Sequence, residues 1–160
     1  MKKLLSIVAG ALCIAMASCA TEMDKECSKI AEAMKAGNME EVATLTEAAY
    51  AKADQCQARN LADLSIAYNL LANAATDNVT RYDYAKKVVD CYKKAVAADE
   101  AVAKKCYETA QLDMAGIAAQ YEAMFPDFEA AIAQEQAAAQ AAEEGEAVEE
   151  TEETEEVVEE

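Results

Sequence analysis

The sequence predicts an all-α protein, either an antiparallel helical bundle or a stack of helical hairpins, with about five to six helices and a disordered acidic C-terminal tail. Between residues 24 and 142 the chain has one proline and two glycines, whereas alanine, the best helix former, is abundant. No run of β-branched residues alternates with polar ones. This stretch of roughly 120 residues suits a single domain, but its core must lack bulk because the chain has no Trp and only two Phe.

Capping signals divide this body into helices. A Ser, Thr, Asn or Asp side chain accepts a hydrogen bond from a free N–H group at a helix start, and an acid three positions later strengthens the signal. Gly37 ends the first helix, Asp99 opens the fifth, and Pro126 suits the first turn of a sixth. The other predicted caps are Asn38 with Glu41, Asn60 with Asp63, and Thr80 with Asp83. The predicted helices cover about 24–36, 39–59, 61–76, 80–98, 99–124 and the residues after 126.

Apolar residues recur at steps of three and four within these helices, which is the period of one helix face. Such stripes pack against other helices far more often than they form ligand sites, so we assign them to the core. They comprise Leu61, Leu64, Tyr68, Leu71 and Ala75; Tyr84, Val88, Cys91, Tyr92 and Ala95; and Cys106, Ala110, Ile117, Tyr121 and Met124.

Residues 1–18 have the pattern of a secretory signal peptide. Two early lysines are followed by an apolar stretch over residues 4–17, which is shorter than the roughly 20 residues that a membrane-spanning helix needs. The Ala-Met-Ala sequence at 15–17 would allow cleavage before Ser18 and release of a soluble chain. A retained anchor helix is a further alternative.

A second cleavage site overlaps the first. Met16-Ala17-Ser18-Cys19 resembles a bacterial lipobox, in which an apolar residue and two small residues precede a cysteine that accepts lipid. The resemblance implies cleavage before Cys19, lipidation of its thiol and attachment to a membrane of the bacterial cell envelope. Ala20 follows in place of aspartate, which by resemblance to lipoproteins of diderm bacteria leaves outer-membrane sorting open, so we expect the outer rather than the inner membrane. Residues 19–23 would then be a lipidated linker to a helical domain over residues 24–142.

Four further cysteines remain in the exported chain, namely Cys27, Cys56, Cys91 and Cys106. An even number of cysteines in an exported chain predicts two disulfides. If the chain turns back at residues 98–99, Cys91 and Cys106 each lie roughly 11 Å from the turn and face each other. Cys27 and Cys56 form the second pair by exclusion, although their heights along the first hairpin differ by roughly 12 Å, which is more than a disulfide spans. Buried free thiols are the alternative.

A short sequence repeat is present in the first half of the body. Tyr50-Ala51-Lys52 recurs as Tyr84-Ala85-Lys86, an offset of 34 residues. Over residues 30–100 this chain resembles the helical hairpins of tetratricopeptide proteins, and the resemblance implies a concave surface that binds partner proteins. An ordinary helical bundle explains the same apolar stripes without such a surface.

Charge is distributed unevenly along the chain, whose formal net charge is −17. Residues 143–160 hold eleven glutamates and no basic residue, so we predict a disordered and solvated tail. Lys93, Lys94, Lys104 and Lys105 come to one end of the predicted hairpin between the fourth and fifth helices, where they would form a basic patch. This patch is either a solvated helix face or a docking place for the acidic tail or an anionic glycan.

The composition argues against several classes of enzymatic and metal-binding site. The chain has no histidine, which is the usual general base and the commonest zinc ligand. It also has no glycine-rich phosphate loop and no Cys-x-x-Cys pair. We therefore expect no enzymatic activity, no catalytic residue, no cofactor and no metal site. The negative charge and the export signal also argue against nucleic acid as a partner.

Together these features predict a non-enzymatic interaction or scaffold module of the cell envelope. It would contact the membrane through its N-terminal lipid and other envelope proteins through its helical body. The alternative is a soluble periplasmic protein that binds a small ligand or a divalent cation between its helices. A carboxylate pair that catalyses hydrolysis ranks third, because caps and polar helix faces already explain the acidic residues.

Overall fold

The computed structural model describes the backbone of residues 21–152 and the side chains of residues 21–140. All regular secondary structure in this range is helical, which confirms the predicted all-α class. The predicted signal peptide and Cys19 lie outside the described residues. The helices are α1 (Glu22–Ala36), α2 (Met39–Tyr50), α3 (Ala58–Ala74), α4 (Asn78–Ala110) and α5 (Met114–Glu152), with a 3₁₀ turn at Ala53–Gln55 between α2 and α3.

The described chain divides into two compact units after Met124, inside α5. The first unit holds the hydrophobic core together with α1, α2, α3, α4 and the beginning of α5. The second unit is the remainder of α5, in which Pro126 lies inside the helix and Phe128 is buried. The backbone of α5 continues to Glu152 and so includes the first ten residues of the predicted tail, whereas residues 153–160 lie outside the described residues.

The body begins with a capping box. The hydroxyl of Thr21 accepts a hydrogen bond from the backbone N–H of Asp24 (3.2 Å), and the Asp24 carboxylate accepts one from the backbone N–H of Thr21 (2.8 Å). The helical domain therefore starts earlier than the predicted residue 24. Residues 21–23 of the predicted linker form the cap and first turn of α1, and Cys19 and Ala20 lie outside the described residues.

The boundary between α1 and α2 lies where the sequence predicts it. Gly37 adopts a left-handed conformation with φ +71°, which glycine does without steric cost. Its neighbour Asn38 accepts a hydrogen bond from the backbone N–H of Glu41 at 3.3 Å. Both predicted capping residues are confirmed.

The boundary between α2 and α3 differs from the prediction of one helix that continues to residue 59. Helix α2 ends at Tyr50, and Ala53 in the following turn is buried. The predicted cap Asn60 is wrong, because α3 has already begun at Ala58 and the Asn60 side chain is buried. Its amide donates to Asp24 Oδ1 of α1 at 2.8 Å. Long-range contacts, rather than local glycine or proline, set this boundary.

Helix α4 shows one shifted boundary and one confirmed break. Its cap is Asp77, which accepts from the backbone N–H of Thr80 at 2.8 Å, so the predicted cap at Thr80 is wrong by three positions. Asp99 has non-helical backbone angles (φ −165°, ψ 101°) and accepts a hydrogen bond from the N–H of Val102 at 3.0 Å. The predicted break at this residue is confirmed.

The start of α5 was not predicted. Gln111 ends α4 in the left-handed conformation with φ +56°, and Asp113 then accepts a hydrogen bond from the N–H of Gly116 at 3.0 Å. A Cβ atom on residue 116 would overlap the Asp113 carboxylate, so glycine leaves room for this cap. The prediction that a separate helix starts at Pro126 is wrong, because α5 passes through that residue.

The core is centred on α3, whose predicted stripe is confirmed except for Ala75, which follows the end of the helix and is partly exposed. Leu61, Leu64, Tyr68 and Leu71 are all at most 4% exposed. Tyr68 is fully buried, and its ring lies 5.4 Å from that of Tyr50 and 5.9 Å from that of Tyr84. Both tyrosines of the sequence repeat therefore contact one central ring. They occupy different places in their helices, since Tyr50 ends α2 and Tyr84 lies near the start of α4.

One polar side chain in this core has no partner. Thr46 of α2 is 0% exposed, and its hydroxyl makes no hydrogen bond. Because an unpaired buried hydroxyl costs about 1–3 kcal/mol, the isosteric Thr46→Val substitution should raise the free energy of unfolding by about 1 kcal/mol or more. Urea denaturation followed by circular dichroism measures this change.

A control for this substitution lies on the same helix. Thr44 is exposed, and Thr44→Val should change the free energy of unfolding by no more than about 0.5 kcal/mol. A loss of stability in Thr46→Val would mean that the hydroxyl has a partner in solution.

Candidate functional site

The cysteines occupy two different environments. Cys27 and Cys91 are buried in the first unit, whereas Cys56 and Cys106 are partly exposed. The structure contains no disulfide among the residues it describes, so the predicted Cys91–Cys106 and Cys27–Cys56 pairings stay predictions. The sulfur of Cys56 donates to the backbone oxygen of Lys52 at 3.4 Å.

The buried thiols are held in their protonated form. Burial raises the pKa of Cys27 to about 12 and also raises the pKa of Cys91, and the nearby Cys56 adds to the increase in both cases. Burial likewise raises the pKa of Cys56 itself. Since the thiolate is the reactive and metal-binding form, these three residues are poorly suited to nucleophilic chemistry at neutral pH.

The four lysines of the predicted basic patch have different surroundings. The Lys93 ammonium pairs with Glu122 of α5. In contrast, Lys94 pairs with Asp54 of the 3₁₀ turn (2.9 Å) and with Asp90 (3.1 Å). These hydrogen bonds raise the pKa of Lys94. Lys104 and Lys105 are exposed.

A cluster of aromatic rings encloses a different lysine, Lys87. Its ammonium bonds to Glu47 of α2 and to Asp83, at 2.7 Å in each case. Burial alone would lower the pKa of Lys87, but these two carboxylates raise it. Three ring centroids lie within 6 Å of the ammonium, those of Tyr50, Tyr68 and Tyr84. The chain thus fills this aromatic cage with its own side chain, which ties α2 to α4.

Helix α4 folds back on itself at Asp99. The rings of Tyr92 and Tyr107 have centroids 5.8 Å apart, although 15 residues of continuous helix would separate them by roughly 22 Å. The predicted hairpin is therefore present. Its first arm covers residues 78–98 and its second arm residues 100–110.

A groove with a cavity of about 310 Å³ lies between these arms and the start of α5, and we call it the hairpin groove. Its floor is apolar and aromatic, and its rim is charged. The floor consists of Tyr92, Val96, Tyr107, Leu112 and Met114. The rim consists of Glu100, Lys104, Glu108 and Asp113, so three carboxylates face one ammonium. Tyr107 is held in place by a hydrogen bond between its hydroxyl and that of Ser65 (3.1 Å) in α3.

Sequence reasoning missed this groove as a site. It assigned Tyr92 to the core and Lys104 to a basic patch, whereas the structure places Lys104 between two glutamates on one helix face. The signal was the spacing of Glu100, Lys104 and Glu108 at steps of four, which puts all three on one side of the second arm.

A second groove, with a cavity of about 400 Å³, lies at the start of α1. Most of the residues that line it are of polar types, and it is bordered by Glu26, whose Oε1 accepts a hydrogen bond from the Lys52 ammonium at 2.7 Å. The other carboxylate oxygen, Oε2, is buried without a hydrogen-bond partner. This groove starts at Thr21, the first described residue of the chain.

Neither groove contains a metal-binding arrangement. Within residues 21–140, no three His, Cys, Asp or Glu side chains are grouped so that they could hold a metal ion. None of the described helices is long and apolar enough to cross a bilayer.

The chain matches no protein-family model, no curated protein and no solved structure.

Proposed function

We propose that this protein is a lipoprotein of the bacterial cell envelope, tethered through lipid on Cys19, and that its helical body is a non-enzymatic interaction module. The single observation that supports the tether is the lipobox-like sequence Met16-Ala17-Ser18-Cys19, which directly precedes the folded body. Helix α1 is capped by Thr21, two residues after Cys19. At about 3.8 Å per residue, the lipidated cysteine would lie within roughly 8 Å of the cap.

A tether this short restricts how the body can sit at a membrane. The first turn of α1 and the groove beside it would lie next to the headgroups, with the hairpin groove elsewhere on the same unit free to meet other molecules. The first turn carries Glu22 and Asp24, so its charge disfavours close contact with an anionic lipid surface. The lipid would therefore hold the body at the membrane, and the body itself would not adsorb to the membrane surface.

Replacement of Cys19 tests the tether. The wild-type chain expressed in a diderm bacterium should partition into detergent and into the membrane fraction, because its acylated N-terminus is anchored in the bilayer. The Cys19→Ala variant should accumulate as an unacylated protein. Intact mass spectrometry of the mature chain reports cleavage and acylation in the same measurement.

A second cysteine offers a matched control for this experiment. Cys13→Ser removes a thiol from the segment that maturation discards, so it should leave acylation and partition unchanged. A mature wild-type protein that begins at Ser18 and carries no lipid would overturn the proposal and favour the soluble alternative.

A further inference from the structure

The charged rim of the hairpin groove is not used to hold the fold together. Among residues 21–140, the ion pairs of the first unit join Lys52, Lys87, Lys93 and Lys94 to carboxylates away from this rim. Glu100, Lys104 and Glu108 are exposed at the mouth of the groove and take part in none of those pairs. Asp113 uses one carboxylate oxygen to cap α5.

The floor of the groove supplies a different kind of surface. Tyr92 and Val96 come from the first arm of α4, and Leu112 belongs to the turn after the second arm, so distant parts of the chain converge here. The Tyr92 ring is half-buried and leans against the buried Tyr107 ring at an angle of 39°. A cavity of about 310 Å³ with a mostly apolar lining and a few polar groups at its edge has the size and character of a small-molecule site.

The charges at the rim select the class of ligand. Lys104 offsets one of the three carboxylates, which leaves an excess of two negative charges over an aromatic floor. A cation gains from these carboxylates. An apolar body attached to that cation would cover the floor and displace water from it.

From this geometry we propose that the hairpin groove binds a small organic ammonium ion with an apolar body. The ammonium group lies at the charged rim, where Glu100, Glu108 and Asp113 outnumber Lys104, and the apolar body lies on Tyr92 and Val96. The groove is correspondingly unsuited to the glutamate-rich tail or to an anionic glycan, because both would meet the same excess of negative charge.

A matched series of three ligands tests this proposal. The probes are 2-phenylethylammonium, the neutral 2-phenylethanol and the anionic 3-phenylpropionate, which share one ring and differ in charge. Titration of the full chain in nonionic detergent at low ionic strength, followed by backbone NMR shifts, gives affinity and location together. We expect the ammonium ion to bind at least about tenfold more tightly than the alcohol, with shifts centred on residues 92–114. Among the three probes, added salt should weaken only the binding of the ammonium ion.

Two double variants separate a local site from general attraction to an acidic protein. Glu100→Gln with Glu108→Gln should reduce the preference for the ammonium ion to less than about threefold. Glu32→Gln with Glu40→Gln removes the same two charges from exposed positions on α1 and α2 and should leave the preference intact. All four positions are exposed, so folding should be preserved, and circular dichroism checks this.

Several results would overturn the proposal. One is the absence of saturable binding of 2-phenylethylammonium at millimolar concentration. Others are equal affinity for the three probes, an equal loss of the preference for the ammonium ion in the two double variants, or NMR shift changes centred outside the groove.

Discussion

Replacement of Tyr68 by alanine should lower the free energy of unfolding by about 3–5 kcal/mol, the range for removal of a buried aromatic ring. Tyr68 is 0% exposed and lies between the rings of Tyr50 and Tyr84, which come from two different helices. Its removal leaves a cavity at the point where α2, α3 and α4 meet. The loss is large relative to the stability of a domain of this size, since small domains are stable by only about 5–15 kcal/mol.

The size of this effect depends on the ring and much less on the hydroxyl. The Tyr68 hydroxyl donates to the backbone oxygen of Thr46 over a long 3.5 Å contact. Tyr68→Phe keeps the ring and should therefore cost less than about 1.5 kcal/mol. Urea denaturation monitored by circular dichroism at 222 nm measures both variants. Similar losses in Tyr68→Phe and Tyr68→Ala would place the stabilising contact at the hydroxyl and contradict this account of the core.

Asp63 should make the protein more stable as the pH falls from neutral toward 4. Burial raises the pKa of this carboxyl to about 6 in the folded state, against a partly compensating effect of the neighbouring Arg59, and Asp24 adds to the increase. In the unfolded chain the pKa is about 3.9. The folded state therefore binds a proton more tightly, so the associated stability is complete below pH 4 and is lost as the pH rises through 6.

Asp63→Asn should remove this dependence. The variant carries no charge to bury, so at pH 7.5 its free energy of unfolding should exceed that of the wild type by up to about 3 kcal/mol. Between pH 7.5 and pH 5 the wild type should gain about 1 kcal/mol, whereas the variant should not show this gain. Urea denaturation at both pH values gives the comparison.

The net charge of the chain is a second reason for stability to depend on pH, and a control variant distinguishes this effect from that of Asp63. The chain has an excess of 17 negative charges at pH 7, so mutual repulsion weakens on acidification in any case. Asp127→Asn removes an exposed carboxylate and should keep the wild-type slope. An unchanged slope in Asp63→Asn would mean that this carboxyl titrates at its ordinary pKa.

Asp24 limits the gain at low pH because it has the opposite shift. Its carboxylate accepts hydrogen bonds from Asn60 and from Thr21, and the bond from Asn60 is the largest cause of its lowered pKa. A lowered pKa in the folded state means that stability is present above the unfolded value and is lost below it. For these two carboxyl groups together, stability should therefore be greatest near about pH 4, where the gain from Asp63 is complete and the loss from Asp24 begins.

The groove illustrates why a site can be absent from a sequence interpretation. The sequence pattern assigned Tyr92 to the core and Lys104 to a basic patch, and it did not single out Tyr107. No pattern along the chain connects these residues with one another. The groove exists only because the chain reverses at Asp99 and because α5 begins at Met114 beside the second arm.

The sequence by itself determined the all-α class, the apolar face of α3, and the helix ends at Gly37, Asn38 and Asp99. These features depend on interactions within about four residues along the chain, which a sequence displays directly. Tertiary structure alone decided where α2 ends, why Asn60 is buried, and which carboxylates pair with Lys52 and Lys94. Those outcomes depend on contacts between residues 26 to 40 positions apart, whose energies are felt only after the helices have packed.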